Sequence, residues 1–309
     1  MSNNDFKLQT PVLFLVFNRL DTTKQVFEAI RQAQPPRLYV AADGARESRE
    51  GEADKVQAVR DYIVNNIDWD CEVKTLFRDK NLGCRIAVSG AIDWFFENEE
   101  QGIILEDDCL PNLTFFRFCE ELLEHYKKDQ RIMMISGTNS VGTWKNDIQS
   151  YHYSIYGSIW GWATWKRAWE YYDQKMSLWQ DLDIQERLAD VITNRHQFKA
   201  RKIICDKSYR GLIDSWGYVW TFSRLIQSGL AIVPSVNLIQ NLGFQAETAT
   251  HTKSSDQRAD NMRNKMLFPI KINHFVAVDR RYDYLLHTVN NSSSFLRKLS
   301  NKLLNIFNI

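Results

Sequence analysis

Three carboxylates in a row, Glu106-Asp107-Asp108, close the apolar run Gly102-Ile103-Ile104-Leu105 and are followed at once by Cys109-Leu110-Pro111. Like charges repel, and each loses water as it nears a core, so a buried strand ending in such a cluster calls for a cation. Oxygen donors of this kind suit a divalent metal, with a phosphate-bearing substrate sharing it. Two further strand ends carry chemistry-bearing residues: Asn18-Arg19 after the first apolar run and Asp43-Gly44 after the second. A carboxylate such as Asp43 can accept a hydrogen bond from a nucleobase N–H, and a guanidinium such as Arg19 can pair with phosphate oxygens. Plainer readings stand beside these. The acids suit a solvated turn at the positive end of a helix starting near Asn112, Asp43 a turn, and Arg19 a surface ion pair.

The elements that must position these groups read as alternating strands and helices. Pro11 to Phe17 is a continuous apolar run, as expected of a strand buried on both faces. Asp21 is an N-cap candidate for a helix carrying Val26, Phe27 and Ile30, which Pro35-Pro36 stops. Arg37 to Ala42 gives a second strand, Val56 to Ile67 a helix and Cys71 to Phe77 a third strand. Arg78, Asn81 and Gly83 mark that strand's end, before a helix ending near Phe96. Gln101 to Leu105 is the fourth strand, followed by a helix from Asn112 to Tyr126 and a strand over Arg131 to Ile135. In a mostly parallel α/β sheet the ends bearing Arg19, Asp43, Arg78 and Glu106 to Asp108 share one rim, where ligands collect.

The second half differs in texture. Tryptophans crowd into the stretches 158–165, read as a Trp/Gly-rich loop, and 214–220, read as the start of a helix to Ile226. A strand is expected at Ala231-Ile232-Val233 and a mobile loop over Thr248 to Asn261. Neither a repeat nor a low-complexity linker divides the chain.

Composition narrows the class. The 309 residues carry 39 basic and 38 acidic side chains, which removes the electrostatic argument for nucleic acid. Five cysteines without a C-x-x-C pair suit reduced thiols better than a disulfide framework or a zinc site. The polar N-terminus and the lack of a long apolar stretch predict a cytoplasmic location. No G-x-G-x-x-G follows the first strand, which disfavours a dehydrogenase.

The stretches PVLFLVFNR, LYVAADG, ILEDDCLPNLTFF, GSIWGWATWKRAW, IDSWGYVW and, more weakly, NLGFQAETATHT occur in one order over residues 11–252. In that order they resemble the nucleotide-sugar glycosyltransferases of the GT-A fold, most nearly the N-acetylglucosaminyltransferase I type. The resemblance implies a GT-A domain over 1–285, with a nucleotide-binding half to about 140 and an acceptor half over 141–285. It implies a UDP-sugar donor, a Mn²⁺ or Mg²⁺ cofactor, a glycan acceptor and an inverting reaction in polysaccharide biosynthesis. By the same resemblance Asp43 contacts uracil, Arg19 the nucleotide and Asp108 the metal. Asp107 and Glu106 reach toward ribose and donor sugar, and Arg78 helps hold the donor. Asp214 falls at the position of the general base, with its plainer role as the cap of the following helix. The chain has one Asp where similar members carry a pair, so Asp206 and Asp173 stay as alternatives. His251 is a further candidate for the metal or diphosphate. Trp160 and Trp216 are candidates to stack on an acceptor sugar, with core packing expected of the other tryptophans. A sugar-phosphate nucleotidyltransferase lacks support in the loop Asn18 to Asp21, which is not glycine-rich. A silent carbohydrate-binding protein of the same fold is a second alternative.

The C-terminal stretch, 286–309, is expected to be an amphipathic helix, with Leu296, Leu299, Leu303 and Phe307 on one face. It suits packing on its own domain, dimerisation, or peripheral contact with the inner membrane surface.

Overall fold

The computed structural model describes residues 6–244 and 262–291. The candidate His251, the expected mobile loop over 248–261 and the amphipathic segment 294–309 lie outside them. The first half alternates as expected: β1 (Val12–Val16), α1 (Leu20–Ala33), β2 (Arg37–Ala42), α2 (Glu52–Asn65), β3 (Glu72–Phe77), α3 (Gly83–Asn98) and β4 (Gln101–Glu106). Then come β5 (Cys109–Pro111), α4 (Thr114–His125), β6 (Ile132–Ser136), β7 (Tyr151–Ser154) and β8 (Trp162–Trp165). Helices α5 (Lys166–Trp169), α6 (Leu182–Val191), α7 (Arg195–Tyr209) and α8 (Trp216–Ile226) follow. The chain continues through β9 (Leu230–Pro234), β10 (Ile239–Asn241) and α9 (Arg280–Asn291).

Eight strands form one mostly parallel sheet in the order β3-β2-β1-β4-β8-β6-β9-β7, and β5 pairs with β10 in a small antiparallel sheet. β1 to β4 run parallel to one another, as do β6 and β9, while β8 runs against β4 and β6 and β7 runs against β9. Every residue of β1 is buried, as a strand covered on both faces requires. Alternate residues feed two cores. Val12, Phe14 and Val16 join Val26 and Phe27 of α1 and Phe116 of α4. Leu13 and Leu15 join Ile92 and Phe95 of α3 and Trp216 and Trp220 of α8. The period-2 pattern of one strand thus sets which helices lie on which face.

Two expectations are corrected here. Stretch 158–165 is not wholly a loop: its second part is β8, an interior antiparallel strand whose four residues are all buried. Its brevity and the flanking glycine hide the strand pattern. Asp21 does not cap α1, which begins one residue earlier, so the acid sits in the first turn. There it still faces the positive end of the helix. Helices α6 and α7 carry charged sequences between the tryptophan stretches and were not anticipated. They pack through Leu188, Ile192 and Cys205 against Val219 and Phe222 of α8. No helix among the described residues is long and apolar enough to cross a membrane.

One buried group gives the fold a pH dependence. His152 on β7 lies against the Tyr282 ring, with centroids 4.1 Å apart, and neither ring nitrogen has a hydrogen-bond partner. Burial lowers its pKa from 6.5 to about 3. Between those values the unfolded chain binds the proton that the folded chain refuses. Stability is therefore full above pH 6.5 and falls as the pH drops toward 3. From pH 7 to 5 the loss is about 2 kcal/mol at 1.4 kcal/mol per unit. In urea titrations, His152→Phe should lose about 2 kcal/mol less than the wild type between these pH values. Equal losses would mean that the wild-type imidazole is not held neutral.

Candidate active site

The acidic run leaves the sheet at the end of β4, where Glu106 is in register with Leu15 of β1. Asp107 and Asp108 turn toward the loop between β1 and α1, and that loop supplies the counter-charge. Arg19 is ion-paired with Asp107 and, at 2.9 Å, with Asp108. The Phe17 N–H donates to Asp107 Oδ2 at 3.3 Å. Asp107 is thus consumed within the protein and only 2% exposed, while the Asp108 side chain keeps 14% of its surface. Gly243 lets the chain pass Asp108 closely, since a Cβ there would stand 2.5 Å from Oδ2. Burial, with Asp108 and Asp107 alongside, raises the Glu106 pKa. Burial also raises that of Asp107, against the pull of Arg19.

A second pair of carboxylates meets at the amino end of α3. The first amides of a helix have no partner within it. Here Asp43, from the end of β2, accepts from Leu82 N–H at 3.0 Å and Gly83 N–H at 3.1 Å. Asp214, from the residue pair before α8, accepts from Cys84 N–H at 3.1 Å and Arg85 N–H at 3.0 Å. Four successive donors are shared between two acids that lie far apart in the sequence. Gly83 makes this fit. Its φ of +79° suits glycine, and a Cβ would reach within 3.0 Å of Asp214 Oδ2. The capping role weighed for Asp214 is thereby corrected: it caps α3, 130 residues away in sequence, and the residue flanking α8, Ser215, makes no side-chain cap. Burial raises the Asp43 pKa, opposed by its three backbone donors and by Arg78. Arg78 itself donates to the Ala87 carbonyl at 3.0 Å, and Asn81 Nδ2 to the Gly44 carbonyl at 2.8 Å.

These groups surround one cavity of about 1040 Å³. Arg19, Asp43, Arg78, Asp108 and Asp214 all line it, as do Glu106 and Asp107 at its floor. Trp160 lines it too, half-buried, with its ring edge-on to Phe244 at 5.4 Å. Trp216 lines the cavity as well, but it is largely buried. It is 1% exposed and stacked on Trp162 at 5.5 Å within a cluster that includes Trp169 and Trp220. Its ring packs largely within that core. The alternative acids fall away. Asp173 accepts the Lys175 N–H in a turn, and Asp206 accepts Trp179 Nε1 at 3.0 Å; neither lines the cavity. Sequence reasoning missed the far wall, where Tyr156, Gln197, Arg201 and Tyr282 come together. The available signal was one polar face of α7, which no motif marks.

Among the described residues no group of three or more His, Cys, Asp or Glu is arranged to hold a metal. A hard ion can be held by one or two carboxylates when substrate phosphates supply other oxygens. Asp108, partly exposed in the cavity, fits that shared mode and not a closed protein cage.

No protein-family model matches the chain, and no curated protein matches it in sequence. Solved structures with a similar trace include the mannosyltransferase PcManGT from Pyrobaculum calidifontis in complex with GDP-Man and Mn²⁺. The match is at 13% identity and TM-score 0.35, over 52% of this chain and 45% of that one. S. aureus TarS 1-349 matches at 8% identity and TM-score 0.41, over 77% of this chain and 61% of that one. HddC from Yersinia pseudotuberculosis matches at 10% identity and TM-score 0.33, over 54% and 81%. The chain therefore spans less than two thirds of the length of the first two.

The shared cap makes a stability prediction. Removing both acceptors with Asp214→Ala should cost about 1–2 kcal/mol in urea unfolding. Asp214→Asn keeps one side-chain oxygen as acceptor and should cost clearly less. Equal losses would show that the Asp214 contacts do not cap α3.

Proposed function

We propose that this chain is a glycosyltransferase of the GT-A fold. It would move a sugar from a nucleotide diphosphate, UDP by the resemblance of its motifs, to a hydroxyl of a glycan, with inversion. One observation carries the reading: Asp108, tied to Arg19, and Asp214, tied to α3, face one cavity at the carboxyl rim of the sheet. An inverting transfer needs that division of labour, charge control at the leaving group and a base at the attacking group.

The Asp214 carboxylate is held by two backbone N–H groups yet retains lone pairs for an acceptor hydroxyl. It accepts the hydroxyl proton as that oxygen bonds to the anomeric carbon. The bond from that carbon to the diphosphate oxygen breaks, and its electron pair leaves with the nucleotide. A divalent ion held by Asp108 and the diphosphate oxygens would supply neutralisation of the leaving group. Arg19 sets the Asp107–Asp108 pair in place, and it also lines the cavity where the resemblance has it contact the nucleotide. Asp43 keeps acceptor capacity beyond its backbone bonds, which suits a nucleobase N–H. Trp160 offers a partly exposed ring to a sugar.

Calorimetry with UDP, and with GDP as comparison, with and without Mn²⁺, tests the donor site. We expect metal-dependent binding of a nucleoside diphosphate, lost in Asp108→Ala with the fold intact, and transfer abolished by chelation. Asp214→Asn should still bind nucleotide while turnover falls by about 10²–10⁴. Wild-type turnover in Asp214→Asn would remove it as base, and pyrophosphate release from a nucleoside triphosphate would favour a nucleotidyltransferase instead.

A further inference from the structure

The cavity continues past the acids to a wall of different chemistry, made by α7, α9 and the segment after β7. Tyr156 anchors it. Its hydroxyl donates to Gln197 Oε1 at 2.8 Å, and Gln197 Nε2 donates to the Asp283 carbonyl at 3.1 Å. The Arg201 guanidinium lies over the fixed Tyr156 ring, 5.6 Å from its centroid, and faces the same cavity. Cation–π contact orients the cation without neutralising it. Arg201 forms no ion pair with a carboxylate among the described residues.

More positive charge gathers behind this wall. Arg224 on α8 is fully buried and likewise has no carboxylate partner. Its Nη1 donates to the Gly229 carbonyl at 3.2 Å, and its Nε has no partner. It lies just beneath the cavity wall, since a Cβ on Gly157 would stand 3.6 Å from its Nη2. Carbonyls at the end of α8 offset part of this burial. His287, on α9, also lines the cavity. Burial lowers its pKa, with His196 and Arg201 adding to the effect, and burial with Arg201 nearby lowers that of Arg224. The acid on α9, Asp283, spends its oxygens on Ser154 Oγ and the Ile155 N–H. Two guanidiniums, Arg201 and Arg224, close to a cavity with no carboxylate ion-paired to either among the described residues are costly, and an anion entering it relieves that cost.

We propose that this end of the cavity binds an anionic group, a carboxylate or phosphate carried by the acceptor, and that Arg201 is its principal contact. The proposal rests on the glycosyltransferase reading for the word acceptor, and on the residues above for the charge. A guanidinium suits either anion through paired N–H donors. It makes acceptor charge a determinant of specificity through a residue other than the acids that handle the donor.

The test uses the full chain and three probes: p-nitrophenyl β-D-glucuronide, the neutral p-nitrophenyl β-D-glucoside, and glucose 6-phosphate. Dissociation constants are measured by ligand-observed NMR with UDP and Mn²⁺ present. At least one anionic probe should bind about tenfold tighter than the glucoside. Which one does so separates a carboxylate from a phosphate acceptor. In Arg201→Gln the advantage should vanish, and Arg201→Lys should keep part of it because charge remains without the fork. Unchanged circular dichroism excludes misfolding. Equal binding of all three probes to wild type, or an anion preference that survives Arg201→Gln, overturns the proposal. Nucleoside diphosphate binding, measured separately, tells the two readings apart. Nucleotide binding without charge preference sinks only the anion lobe, whereas charge preference without nucleotide binding sinks the transferase and leaves an anion site.

Discussion

The amino end of α3 is the joint on which the site depends. Four consecutive N–H groups there would otherwise point into a cavity without partners. Asp43 takes two and Asp214 takes the other two. Two carboxylates so close together repel, and the partial positive charge at the helix start is what makes their approach tolerable. One acid belongs to the end of a parallel strand, the other to the approach to α8. The helix terminus therefore locks strand rim and distant helix into one frame, and Gly83 is the residue that lets Asp214 come close enough.

A second compensation follows the same logic with the signs arranged differently. For the acids at the end of β4 a guanidinium at the start of α1 does the work. Arg19 binds Asp107 and Asp108 together. The consequence is a division within the triplet. Asp107 is spent on structure, Glu106 is held neutral more readily than a free carboxyl, and Asp108 keeps exposed surface in the cavity. Behind both acid pairs the stacked layer of Trp162, Trp216 and Trp220 fills the space between sheet and α8. It fixes the helix that follows Asp214, so the acid's position is set from two sides.

What could be read from the residues follows from how local each determinant is. β2 was legible to its end residues because a continuous apolar run bounded by proline and Asp-Gly is a local signal. The rim shared by Arg19, Asp43 and Asp108 was legible because parallel topology follows from alternation of strands and helices. β8 was not, since four residues between glycine and a helix carry too short a pattern. How little surface Trp216 keeps was not legible, because a tryptophan beside glycine reads alike whether it faces a sugar or Trp162. The cap formed by Asp214 was invisible, as its partners lie 130 residues upstream and are backbone amides that no side-chain motif records. Arg201 and Tyr156 meet only once α7 is laid along the segment after β7, a tertiary fact.

The cavity that results has electrical polarity. At the rim of the sheet the acids outnumber the cations facing them, and at the α7–α9 wall Arg201 faces the space with Asp283 engaged elsewhere. A field between such ends does not depend on close contact, and low-dielectric walls concentrate it. A neutral sugar bearing one anionic substituent would be turned in it, with the substituent toward Arg201 and the far hydroxyls toward Asp214. Orientation of that kind supplies what a carboxylate base needs most, a hydroxyl held in line before the proton moves.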